Sequence, residues 1–124
     1  MKIALPIAAA LVAAASPVLA QGRDFTLTYH VERTPAAKLS IAACGNAVAQ
    51  VARAAKLGAD VQSFPGQLVI VKGGRAGAGA LVAHCIAVGG TTVSVVQGID
   101  YQPRKAALGQ VADRAFAAVK AAIG

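Results

Sequence analysis

Hydrophobic periodicity changes three times along this chain, and the order of those periods restricts the fold more than any other feature. From Phe25 to Glu32 apolar and polar residues alternate, Phe25, Leu27, Tyr29 and Val31 against Thr26, Thr28, His30 and Glu32, which is the two-residue repeat of a half-buried strand. Ile41, Cys44, Val48, Val51 and Ala55 then recur at three- and four-residue steps, the repeat of a helix with one apolar face. Thr34 reads as the N-cap with Pro35 at the first helical position, and Gly58 reads as the stop after Lys56 and Leu57, so the expected helix is roughly 22 residues long. Three apolar runs follow, from Gln67 to Lys72, Leu81 to Val88 and Thr91 to Gln97, with Gly73-Gly74 and Gly89-Gly90 between them. Runs of this kind bounded by glycine are strands, and Gly89-Gly90 signals a two-residue hairpin. Pro103 opens a second helix whose Leu108, Val111, Ala115, Val119 and Ala122 share a face. The expected fold is α+β, a two-layer β-α-β-β-β-α unit with a mainly antiparallel four-stranded sheet and both helices on one face.

Ahead of this unit the chain has the three parts of a secretory signal peptide. Met1-Lys2 is followed by an apolar run from Ile3 to Ala15, then Ser16-Pro17-Val18-Leu19-Ala20, then the polar Gln21-Gly22-Arg23-Asp24. Cleavage is expected after Ala20, leaving residues 21–124 as a single domain. The apolar run is interrupted by Pro6 and Pro17 and falls short of the ~20 residues that cross a bilayer, so the processed chain is not expected to span a membrane. A periplasmic or secreted location follows. Loss of Lys2 with the leader lowers the formal net charge from +7 to +6. The cations are spread over both helices and the loops without interleaved aromatic residues, which argues against a nucleic-acid partner. The charge suits solubility, or attraction to an anionic envelope surface. Alanine dominates the composition and only two tyrosines and three phenylalanines are present, so the core is expected to be thin.

An oxidising compartment permits disulfides, and the chain has two cysteines, Cys44 on the face of the first helical stripe and Cys85 in a strand. A bridge between them is the leading expectation, with two free buried thiols as the alternative. A redox pair would more often be spaced C-x-x-C at a helix start. A tetrahedral metal site would need two further ligands, and His30 and His84 do not converge on the cysteines, because neighbours in a strand point to opposite faces. No cofactor is expected. In layout, with a leader, one α+β domain, two cysteines and a basic, alanine-rich composition, the chain resembles small exported proteobacterial proteins of unknown function. That resemblance implies no activity.

Other residues invite weaker readings. Lys72-Gly73-Gly74-Arg75-Ala76-Gly77-Ala78-Gly79 follows a strand as a phosphate-binding turn would, but its glycines do not follow G-x-G-x-x-G, and no Gly-Lys-Ser/Thr occurs. Arg75 to Ala80 therefore reads as a longer mobile hairpin loop, with Lys72 and Arg75 available to an anion. His30 and His84 are both expected on the sheet face away from the helices. The acids Asp24, Glu32, Asp60, Asp100 and Asp113 are scattered, with no pair spaced for acid–base catalysis and no Ser-His-Asp motif, so no catalytic residue is singled out. The leading expectation is a non-enzymatic interaction module that takes a protein or envelope partner, including a second copy through the sheet face. The alternative is a small-ligand or metal carrier using His30 and His84.

Overall fold

A computed structural model describes residues 24–124, and the expected leader with its cleavage site lies outside the described residues. The strands are β1 (Thr26–Pro35), β2 (Asp60–Phe64), β3 (Leu68–Arg75), β4 (Gly79–Val88) and β5 (Thr91–Asp100), and the helices are α1 (Ile41–Ala54) and α2 (Ala107–Ala121). The order across the sheet is β1-β5-β4-β3-β2, and every neighbouring pair is antiparallel. β2 to β5 form a meander, while β1 lies against β5 at the far edge.

The sheet thus has five strands where four are expected from the sequence. The extra one is β2, whose five residues are all exposed, so it carries no buried-face pattern. Its signal is the turn beside it: Gly66 has φ 74° and Gln67 N–H donates to Phe64 C=O at 2.9 Å, which fits a Pro-Gly turn closing a hairpin. The glycine-rich segment is likewise shorter as a loop than expected. β3 and β4 pair up to Arg75 and Gly79, leaving three residues, with Gly77 at φ 77° and Ala78 N–H bonded to Arg75 C=O. The Gly89-Gly90 hairpin is as expected, with Val88 opposite Thr91.

The first helix starts later than the sequence suggests. Thr34 and Pro35 remain in β1 opposite Thr92 and Thr91, because an edge strand tolerates proline where no ladder donor is needed. Ser40 is the actual N-cap, its hydroxyl accepting from Ala43 N–H at 3.0 Å. The helix ends at Ala54, with Lys56 in the left-handed region and Leu57 N–H returning to Ala52 C=O, a Schellman-type stop two residues before Gly58. The second helix begins four residues beyond Pro103, at Ala107. Its cap comes from Asp100 at the end of β5, whose carboxylate accepts from the N–H groups of Ala106, Leu108 and Gly109 at 2.8 to 3.0 Å. A carboxylate there satisfies donors that would otherwise lack partners and meets the positive end of the helix dipole.

One alternate set of sheet side chains meets the helices. Cys85 is bridged to Cys44 of α1, with Cα atoms 6.0 Å apart. The Ser94 hydroxyl lies 3.2 Å from the Cys44 sulfur, and as that sulfur carries no hydrogen, the hydroxyl donates. Small residues allow close approach. A Cβ on Gly45 of α1 would come within 2.5 Å of Val69 Cγ1, and one on Gly98 of β5 within 2.8 Å of Ala112 Cβ on α2. The core includes Val48, Val71, Leu81, Val96, Leu108 and Val119 with several alanines among them, so close packing substitutes for large side chains.

Candidate interaction surface on the sheet

The phase of β1 decides what the rest of the sheet presents. Its apolar residues Leu27, Tyr29 and Val31 are exposed, and Thr26, Thr28, His30 and Glu32 are half-buried on the side of the helices. Both His30 and the apolar row are therefore on the faces opposite to those expected. Register on β5 fixes this phase, and α2 supplies partners for the polar row. His30 Nε2 donates to Asp113 Oδ1 at 2.8 Å, and the imidazole stacks on Phe116 with centroids 4.6 Å apart and planes 8° apart. Lys105 Nζ pairs with the other Asp113 oxygen, and Lys120 Nζ sits 5.3 Å from the Phe116 ring centre. The hydrogen bond from Lys105, and after it the one from His30, hold the Asp113 carboxyl below its ordinary range. Thr26 adds a bond from Oγ1 to Gln102 C=O at 2.9 Å. A polar strand face thus meets a partly polar helix flank, and the apolar face is turned outward.

The register aligns that outward face across all five strands. Paired residues in antiparallel strands point to the same side, so Arg33, Val93, Ile86, Leu68 and Phe64 form one row and Val31, Val95, His84, Ile70 and Gln62 the next. Tyr29, Gln97, Val82, Lys72 and Asp60 form the third. Exposure is greatest at the margins, 63% at Tyr29, 57% at Val88 and 47% at Phe64, whereas Val93, Val95, Val82, His84, Ile86 and Ile70 are half-buried by their neighbours. β-branched residues dominate the middle. The charges are marginal: Arg33 on β1, and Lys72 with Asp60 at 3.5 Å on β3 and β2.

The residues singled out from sequence separate accordingly. Cys44 and Cys85 come together. His30 and His84 stand on opposite faces of the sheet, so they share no ligand. Lys72 is on the open face beside Asp60, whereas Arg75 is on the helix side and donates from Nη2 to Ala55 C=O at 3.0 Å, so the two form no joint anion site. Sequence reasoning missed the outward row of β1, together with Asp113 and Phe116. The available signal was Phe116 itself, a large aromatic lying off the apolar stripe of its helix. No described helix is long and apolar enough to cross a membrane.

Residues 24–124 match the model of a family described as a family of unknown function (DUF6180). No curated protein matches the chain, and no solved structure does.

Proposed function

The chain belongs to this family of unknown function, and from that premise we propose that it is an exported, non-enzymatic interaction module whose working surface is the open face of its sheet. The observation that supports this reading is the outward row of Leu27, Tyr29 and Val31, continuous with Val95, Val93 and Ile86. Apolar patches of this extent on soluble proteins mark places where something docks. The disulfide and the closely packed helices hold the surface rigid from behind. Export fits the leader-like residues 1–20 and the bridge between Cys44 and Cys85. The carrier alternative using His30 and His84 is not favoured, since the sheet stands between the two imidazoles.

The test is a photo-crosslinking residue placed at Val95 or at Asn46 on the exposed side of α1, in cells expressing the full chain. Adducts to a macromolecule from position 95 and none from 46 are expected; no adduct from 95, or equal adducts from both, would overturn the reading. Intact mass of the exported protein checks the leader, with a start at Gln21 expected and a retained Met1 counting against export.

A further inference from the structure

The open face is wide in both directions. Five strands at about 4.8 Å spacing and some eight residues at about 3.3 Å each give a field on the order of 24 by 26 Å. An occupant must match that shape. A helix lays down a strip only about 10 Å wide, and an extended peptide pairs with a sheet edge, not with its face. A lipid surface would have to receive His84, Gln97 and Gln62 in hydrocarbon, which is costly without partners. Only three charged side chains stand in the three rows, two of them paired with each other, so no basic cluster favours anionic headgroups.

A second sheet of the same twist fits. Two pleated faces stack about 10 Å apart with interdigitating side chains, and the β-branched rows of Val31, Val95, Ile70, Val93, Ile86 and Val82 are of the kind that does so. The field approaches the ~800 Å² per partner of a stable interface, and its middle is free of fixed charge, so two basic chains meet there without placing cations face to face. Resting on the reading of this face as the docking surface, we propose that its occupant is a second copy of the chain, giving a sandwich with one sheet from each subunit. His84 lies on the middle strand in the middle row, between Val95 and Ile70. The other titratable or charged groups on the face are Tyr29 and Arg33 on β1, Lys72 on β3 and Asp60 on β2, and no acid adjoins His84. A two-fold stack centred on this face brings the two His84 side chains near the middle of the dimer.

Sedimentation of protein produced from the full chain and purified as the cell delivers it tests this. At neutral pH the wild type is expected as a dimer. Ile86→Lys and Val95→Lys should be monomeric with the disulfide intact and an unchanged circular dichroism spectrum, and Asn46→Lys on α1 should remain a dimer. A monomeric wild type at high micromolar concentration, or dimers that survive both lysine substitutions, overturn the second copy as occupant. A monomer that binds an apolar dye, with binding lost in Ile86→Lys, would refute the second copy while leaving the docking face standing; a monomer that binds no dye would remove both.

Discussion

The two faces of the sheet are built from similar residues and end in opposite situations. Toward the helices are Val69, Val71, Leu81, Ala83, Cys85 and Val96, all buried. On the other side, Ile70, Val82, Ile86, Val93 and Val95 are larger on average and remain half-buried or less. Had burial followed hydrophobicity alone, the outer set would be the core. The closed face instead takes small residues, because Gly45 and Gly98 bring the helix backbones nearly into contact with the strands. Larger side chains would hold the helices away from the sheet. The bulkier set is left on the open face.

Breaking the closed face should show how much it holds. Replacing both Cys44 and Cys85 by Ala removes a link across 41 residues and should cost about 4 kcal/mol of unfolding free energy in the chain-entropy account, read from denaturant midpoints. Leu81→Ala, at a fully buried position, should cost about 3 kcal/mol. The matching truncation on the open face, Ile70→Ala, should cost under about 1 kcal/mol in dilute, monomeric protein; equal costs for the two would erase the distinction between the faces. Thr34 is buried with an unpartnered hydroxyl, so Thr34→Val should leave stability unchanged or raise it by up to about 1 kcal/mol, the reverse of an ordinary core change. The smallest effect belongs to Asp113. Its carboxyl is lowered from 3.8 in the folded chain, so its contribution is complete above that value and disappears as pH falls through the lower folded one. Because the pair is partly exposed, Asp113→Asn should cost only about 0.5 kcal/mol at neutral pH and flatten the acid limb of stability, measured by melting between pH 2 and 6.

Much of this architecture is legible in residue order. The stripes of Cys44 and Val48, and of Leu108, Val111, Ala115 and Val119, are buried as their spacing requires, and Gly89-Gly90 marks its hairpin. The remainder depends on contacts that periodicity does not contain. Alternation in β1 divides its side chains into two sets without saying which set faces the helices, and that is fixed by its register on β5, far along the chain. The N-cap reading of Thr34-Pro35 fails because pairing with Thr91 and Thr92 extends the strand through them. β2 buries nothing and so leaves no apolar signature. Of the candidate surface, only the β1 row was missed, for the first of these reasons: it was assigned to the helix side.

The pairing of β1 with β5 also has a consequence in time. β2 to β5 follow one another through short turns, so their ladders close over small separations in the chain, whereas Thr26 must find Asp100 and Pro35 must find Thr91. Contacts between distant residues form slowly, so β1 is expected to dock last. Cys44 and Cys85 both lie outside β1 and can be joined before it arrives. Until then the β5 edge is open, and the same slot can accept the first strand of a neighbouring molecule, the route by which chains exchange segments. Pulse-labelled amide exchange during refolding should protect β3, β4 and β5 ahead of β1; simultaneous protection would show instead that the edge is never left unguarded.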